Sequence, residues 1–463
     1  MRRRLFLDLR DLTRLENLHR RLHQPRRHPA NPVLRGEHPW ERMASLYGTA
    51  IFDEDAGLFR MWYLTGPAAD GWVRVRGRKA LGNITLLGYA ASEDGVRWEK
   101  PALGQVDFEG STANNLVEVG RTNCEGFALL HDRRDPDPAR RYKGFYWEHG
   151  GTDAFREHEG RTIWGEGEGD GMWMSFSPDG LRWTDCGANP VIPLGSDTTQ
   201  SLVWDEDLQK YAAFGRFGAG GRQMARALSD DAVRFEPPER VFTPDGADEG
   251  GTQFYGVPLM RYEGLYLGMV WVYREGVDGR IDTSLAVSRD GASWERVLDR
   301  QTFLSLGESG SWEDGMVRVS QNFVVRGDTL YLYYGGVEGP HTGRKFKTVE
   351  RKHASAIGLA TLRRDGFVSL DAGDEAGHFL SKPLEELGPT LRLNARCRAG
   401  GWIRAGLADD TGRPLEGYAT GRFGGDSTDA ALPFPRDTAA LKGKEVRLRV
   451  DMRQASLFSY WFA

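Results

Sequence analysis

Cysteine is scarce. Cys124, Cys186 and Cys397 are the only three in 463 residues, they lie far apart, and no C-x-x-C pair occurs. An odd, scattered set argues against a disulfide scaffold and a structural zinc site, and for a reducing compartment. Long apolar runs are also missing: no stretch approaches the ~18 residues that a membrane-crossing helix needs. The start Met1-Arg2-Arg3-Arg4 is basic, but charges interrupt Leu5-Phe6-Leu7-Asp8-Leu9-Arg10 where a secretory signal would be apolar. The expected location is cytoplasmic, so the sequon Asn83-Ile84-Thr85 has no bearing. Neither charge is in excess. The 61 Lys and Arg against 66 Asp and Glu leave a net charge of -5, which speaks against nucleic acid or a membrane as partner.

Several catalytic signatures are absent as well. There is no G-x-S-x-G, no H-E-x-x-H, no Walker loop and no dinucleotide fingerprint opening a helix. Gly165-Glu166-Gly167-Glu168-Gly169-Asp170-Gly171 has the glycines of a phosphate loop, but its three acids repel a phosphate and no helix follows. The 10 histidines show no ligand spacing. Neither a metal nor a cofactor is expected, and no convincing long helix appears.

What the chain has is repetition, with 59 Gly, 14 Trp and 15 Tyr. Ser92-Glu93-Asp94-Gly95-Val96-Arg97-Trp98 returns as Ser177-Pro178-Asp179-Gly180-Leu181-Arg182-Trp183 and as Ser288-Arg289-Asp290-Gly291-Ala292-Ser293-Trp294. Ser229-Asp230-Asp231-Ala232-Val233-Arg234-Phe235 is a weaker copy and Asp365-Gly366-Phe367 a degenerate one. Each follows an apolar run, so each reads as strand, Asp-Gly turn, strand. A second repeat alternates with it: an apolar triplet, an acidic or Gly turn, then an aromatic strand. Its copies begin at Ala50-Ile51-Phe52, Leu129-Leu130-His131, Leu202-Val203-Trp204, Pro258-Leu259-Met260 and Phe323-Val324-Val325. Paired, the two repeats give five units of about four strands each, the pattern of a β-propeller.

The expected fold is all-β: an extended N-terminal segment over 1–40, a five-bladed propeller over 41–365 holding the chemistry, and a small antiparallel β-sandwich over 366–463. In the last part Leu391–Ala395, Gly401–Leu407, Val446–Val450 and Ala455–Phe462 alternate with period two. Long loops at 102–124, 149–170 and 335–353 invite function. The last is basic, with Arg344, Lys345, Lys347, Arg351 and Lys352.

Residues that start the innermost strand of each blade line one mouth of a propeller's channel. The acids there are Glu41, Glu125, Asp197, Asp248 with Glu249, and Glu313 with Asp314. Carboxylates converging on one mouth push each other's pKa values apart, so that one donates a proton while another stays ionised. Glycosidic cleavage needs such a pair. Asp197 leads, because Thr198-Thr199-Gln200 makes an uncharged polar run at an otherwise apolar strand entry; Glu249 and Asp314 follow, then Glu125 and Glu41. Asp53, Asp132 and Asp205 end their apolar triplets at hairpins and read as structural. The candidate substrate contacts are Thr198, Gln200, Gln253, Tyr255, Trp40 and His341, with the aromatics suited to stacking on sugar faces.

The fivefold pattern, the S-x-D-G-x-x-W hairpins and the appended strands resemble the five-bladed propeller glycosidases: the invertase- and levanase-like family 32, with relatives in families 43, 68 and 130. The resemblance covers nearly the whole chain and implies a carbohydrate-active enzyme. The W-M-N-D-P-N-G nucleophile motif of invertases is absent, and His28-Pro29-Ala30-Asn31-Pro32 lacks its Asp. Their R-D-P motif is matched in letters by Arg134-Asp135-Pro136, at a hairpin, and their E-C acid motif only in reverse by Cys124-Glu125. A divergent relative is therefore expected: a glycoside hydrolase acting on a small oligosaccharide or glycoside. The alternatives are a phosphorylase of the family 130 kind, with the basic loop 341–352 as phosphate site, and a non-catalytic sugar-binding propeller. Self-association into a homo-oligomer is left open.

Overall fold

The computed structural model describes residues 2–67, 72–81, 84–121, 123–149, 157–158, 161–162, 169–218, 221–341 and 355–463. Among them no α-helix occurs, only three short 3-10 turns, and no helix is long and apolar enough to cross a membrane. The Gly- and Glu-rich run at 163–168 and the basic residues of 342–354 lie outside the described residues.

Five antiparallel sheets follow one another along the chain. The first three are four-stranded, each running from an innermost strand outwards: Ser45–Asp53, Glu125–His131 and Ser201–Asp205 lead them. The fourth starts with Thr252–Gly256 and Leu259–Tyr262, both paired to Leu265–Arg274. The fifth starts with Met316–Arg326 and takes its outer edge from the beginning of the chain, where Arg26–Arg27 and Leu34–Arg35 pair with Ser355–Arg363. A parallel bridge, Ile281 to Met316, joins the fourth sheet to the fifth. The innermost strands touch in sequence and the fifth touches the first, which closes a ring.

Apolar alternation explains the packing. Each sheet buries its faces against its neighbours, and a separate core cluster fills each junction, such as Met61, Tyr63, Tyr333 and Leu359 between the first sheet and the fifth. The clusters between first and second, second and third, and third and fourth sheets centre on Trp62 with Phe127, Phe145 with Ala213, and Phe214 with Tyr266.

The turns at the ends of the repeats tie these junctions together. In the Asp-Gly turns, Asp94 Oδ1 accepts the N–H groups of Val96 and Arg97, and Ser92 Oγ accepts that of Gly95, each at 2.8 Å. Asp179, Asp231 and Asp290 repeat the arrangement. The turn residue is left-handed at Gly95, Gly180 and Gly291, and Ala232, with a φ of 60°, is left-handed too in the weaker copy. The preceding sheet then latches on: Tyr333 Oη donates to Gly95 O, Arg60 to Asp179 O, Arg140 to Asp231 O and Arg226 to Asp290 O, at 2.6–2.7 Å.

The acids of the other repeat latch the opposite way. Tyr142 Oη donates to Asp53 at 2.8 Å, Tyr211 to Asp132 at 2.7 Å, and Tyr266 to Asp205, each tyrosine coming from the following sheet. Arg60, Lys143 and Arg261 stand as counter-ions to the three acids.

Apart from two small hairpins, Trp72–Val75 with Arg78–Leu81 and Glu157–His158 with Arg161–Thr162, the remaining strands form one hydrogen-bonded sheet of nine. Its two long members, Thr390–Ala408 and Arg447–Phe462, pair along their lengths with a register break between Cys397 and Trp402. By pairing this is one continuous sheet, not two separate ones. It also takes in Arg4–Leu5, Leu12–Glu16 and His19–Leu22, so the first residues belong to this sheet and to the edge of the fifth. One core cluster runs from it into the fourth and fifth sheets, through residues such as Leu285, Leu330, Phe367 and Leu457.

Burial alone would raise the Asp53 pKa, but hydrogen bonds from Arg60, Tyr142 and Ala56 outweigh it and hold the carboxyl down to about 2. A group depressed in the folded state adds stability above its unfolded value of ~3.9. That stability is lost as pH falls through the folded value. Asp53→Asn should therefore cost on the order of 3 kcal/mol at neutral pH, because it breaks a buried pair. Urea unfolding should show the gap to wild type closing below about pH 4; a gap that stays constant would mean Asp53 is not ionised in the latch.

Candidate functional site

The starts of the innermost strands enclose a cavity of about 390 Å³, walled by Tyr47, Glu125, Tyr255, Arg318 and His341 and rimmed by Arg42. Irregular strand entries aim these side chains inward. The register shifts between Ser45 and Thr49 around Tyr47, between Glu125 and Ala128, and between Phe254 and Gly256 around Tyr255. Bulges bend a strand and redirect a side chain, and here they sit at the mouth.

Each redirected residue precedes a glycine: Tyr47-Gly48, Glu125-Gly126, Tyr255-Gly256. The glycine is needed at Gly126, where φ is +66° and a Cβ would lie 1.6 Å from Gln200 Oε1 and 2.3 Å from Thr198 O. Gln200 thus lies against the backbone that presents Glu125. Its amide nitrogen donates to Ser196 O at 2.6 Å, while Oε1 is buried without a partner.

One of the expected acids, Glu125, lines the cavity, and a second, Asp197, lies near enough to feel its charge. Glu125, half-buried, accepts from or donates to His149 Nε2 at 3.1 Å, and the imidazole stacks on Trp147. Asp197 lies 3.6 Å from Arg216 Nη2 and keeps 72% of its side chain open to solvent. Crowding by protein around this concave position and the charge of Glu125 raise its pKa above the usual carboxylate range, against the pull of Arg216 and Arg222. Because the group is so open, the ion pair with Arg216 is weak.

The other acids have different surroundings. Glu41 is 3% exposed, and it takes bonds from Tyr63 Oη, Lys100 Nζ and the Glu37 N–H. It is a satisfied core ion of the first sheet, not a cavity residue. Asp314 caps two backbone N–H groups, Gly310 at 2.9 Å and Gly339 at 2.8 Å, and so closes a turn. Glu249 is exposed just before the fourth sheet's first strand, Thr252–Gly256, and does not line the cavity. Glu313 pairs with Arg27 at 2.8 Å and Asp248 with Arg296 at 2.9 Å. Asp135 of the R-D-P letters is held by Lys143 at 2.7 Å in its hairpin.

Of the expected contacts, Tyr255 and His341 face the cavity, with ring centroids 4.8 Å apart. Thr198 donates to Tyr255 O at 2.7 Å and so supports it from behind. Gln253 is bonded to Arg222 and Glu275 in a neighbouring groove. Trp40 instead donates to Asn115 Oδ1 at 2.8 Å and stacks on His38, on the flank of the first sheet. Reasoning from the sequence missed Tyr47, His149, Arg216 and Arg318; the recurring residue–glycine pair at the strand entries was a usable signal for the first. Among the described residues no group of three or more His, Cys, Asp or Glu could hold a metal ion.

No family model matches the chain, and no curated protein does. Among solved structures the chain is similar to a glycosyl hydrolase from Bacteroides ovatus, at 16% identity and a TM-score of 0.48, over 74% of this chain and 93% of that one. It is also similar to a β-1,2-mannobiose phosphorylase from Listeria innocua, at 11% identity and a TM-score of 0.49, over 74% and 97%. A third, from work on glycoside hydrolases of the GH130 family that target β-1,2-mannosidic linkages in Candida mannan, is 18% identical with a TM-score of 0.47, over 74% and 94%.

The close approach at Gly126 makes a prediction. Gly126→Ala should lower stability by roughly 2 kcal/mol or more, from a strained left-handed residue and an overpacked contact. Thermal unfolding reads this loss directly. An unchanged melting temperature would mean that the Gln200 contact is loose and does not fix Glu125.

Proposed function

We propose that the ring of five sheets is a five-bladed propeller, spanning about 41–365, and that the protein is a glycoside hydrolase acting on a small oligosaccharide or glycoside at the channel mouth. Asp197 is the proton donor and Glu125 the ionised partner. The observation that carries this reading is the proximity of two incompletely neutralised carboxylates, Glu125 in the cavity wall and Asp197 near enough for that charge to raise its pKa. A raised acid keeps its proton nearer to neutral pH, as protonation of a leaving oxygen requires. Tyr255 supplies an aromatic face for a sugar ring. The acids already saturated by lysine, arginine or backbone N–H groups are assigned to the scaffold.

Turnover of purified protein on a panel of nitrophenyl glycosides and natural oligosaccharides, with and without phosphate, tests the reading. Release without phosphate is the expected result; release only with phosphate would make the enzyme a phosphorylase, and none at all would favour a sugar-binding propeller. On the substrate found, Asp197→Asn should lower kcat by about 10²-fold or more while the fold stays intact. The pH profile supplies a second check. Activity should fall as pH rises through the Asp197 pKa, since the acid form is needed. Arg216 lowers that pKa, so Arg216→Met should move the falling limb to higher pH; a limb that stays in place would remove Asp197 from the proton-donor role.

A further inference from the structure

Arg318 is the polar group of the cavity that its surroundings leave unanswered. It enters on the innermost strand of the fifth sheet, Met316–Arg326, and is 6% exposed. Among the described residues no carboxylate lies within 4 Å of its guanidinium, whose one hydrogen bond is a long one of 3.4 Å from Nη2 to Ser45 Oγ, and Nε is buried with no partner. The side chain is held instead by ring faces, 4.6 Å over Tyr47 and 5.7 Å over Trp271. The two nearby acids have other partners: Glu125 has His149, and Asp197 has Arg216.

A buried charge without a partner is costly, and proteins seldom keep one that nothing answers. Here the fork opens onto the cavity, with Arg42 exposed on the rim of the same space. A guanidinium presents parallel N–H donors that match the two oxygens of a carboxylate or a phosphate.

We infer that Arg318, with Arg42 at the rim, forms an oxyanion site inside the cavity, so that what binds there carries a carboxylate, as an acidic sugar does, or is phosphate itself. This rests on the carbohydrate reading above only in naming a sugar as the carrier. Contact with the faces of Tyr47 and Trp271 restrains the guanidinium before the ligand arrives, which reduces the ordering cost of binding. The neutral parts of a sugar would then lie against Tyr255, and its glycosidic oxygen toward the carboxylates.

Binding rather than turnover tests it. Calorimetry and thermal shift on the full chain, with glucuronate, glucose and inorganic phosphate as probes, are compared for wild type and Arg318→Met, a variant of similar length without charge. Wild type should bind glucuronate or phosphate at least tenfold more tightly than glucose, and Arg318→Met should lose that preference. The same anion should raise the melting temperature of wild type but not of the variant. A preference for glucuronate over phosphate assigns the site to a carboxylated sugar, and the reverse to the free ion. Arg318→Lys covers the case in which the Met variant fails to fold: it keeps the charge, loses the fork, and should bind more weakly than wild type. Neither glucuronate nor phosphate binding more tightly than glucose, or anion binding untouched by these substitutions, overturns the inference. Turnover of glycosides by wild type together with no Arg318-dependent anion binding would sink the anion site and leave the hydrolase standing. Arg318-dependent anion binding with no turnover of any glycoside would do the opposite.

Discussion

Five sheets stacked face to face around an axis share no backbone ladder beyond the single bridge from Ile281 to Met316, so their relative positions depend on what else crosses the junctions. Apolar packing supplies most of the energy but little direction. Direction comes from the buried carboxylates. Asp53, Asp132 and Asp205 each accept a phenol from the following sheet and stand beside a cation of the ring. In a low dielectric such bonds are strong when complete and costly when broken. Each therefore specifies one angular relation between neighbours, and the repeat of the motif makes that relation recur. The Asp-Gly turns add a second set, in which backbone carbonyls accept from the sheet before.

The axis is closed by a different polar device. The orientation of the Gln321 amide that satisfies all of its neighbours has the nitrogen donating to Gln200 O at 2.7 Å, with the oxygen accepting from Leu129 N–H at 3.2 Å and Thr49 Oγ at 2.6 Å. Ser320 Oγ donates to Gly48 O, and the Leu259 N–H donates to Ser201 Oγ. Together these bonds reach the innermost strands of all five sheets. They tie Gln200, and through it the backbone of Gly126, to the ring. The position of Glu125 at the mouth is thus a consequence of the floor beneath it.

This division accounts for what could be read from the residues alone. The hairpins, the alternation of strands and the structural part played by Asp53, Asp132 and Asp205 were legible, because each depends on neighbours a few positions away. The choice among the entrance acids was not. Glu41 and Glu125 both stand at a strand entry, and what separates them is Lys100, 59 residues further on, which folds back onto Glu41. Asp314 is taken out of reach by the N–H of Gly339, 25 residues later. Arg318 and Tyr47 sit in strands where alternation marks an inward position but not what they meet there. The tie of the N-terminal residues to two sheets was hidden for the same reason: strand partners more than 300 residues apart leave no local mark.

Saturation is what distinguishes scaffold from site in this molecule. Where a buried acid has two or three donors, its protonation is settled and nothing remains for a ligand to do. At the mouth the bonding is incomplete in both signs. Asp197 has one distant arginine, Glu125 one histidine, and Arg318 has aromatic faces and a long bond to Ser45. An isolated imbalance of one sign would be relieved by a shifted pKa or by solvent. Opposite imbalances held apart in one cavity by bulged strands cannot cancel each other, because closing the distance would break the junctions that hold the sheets. The field they leave is fixed in place before any ligand arrives, and a ligand with one anionic group and one oxygen able to take a proton is the kind of molecule that would complete it.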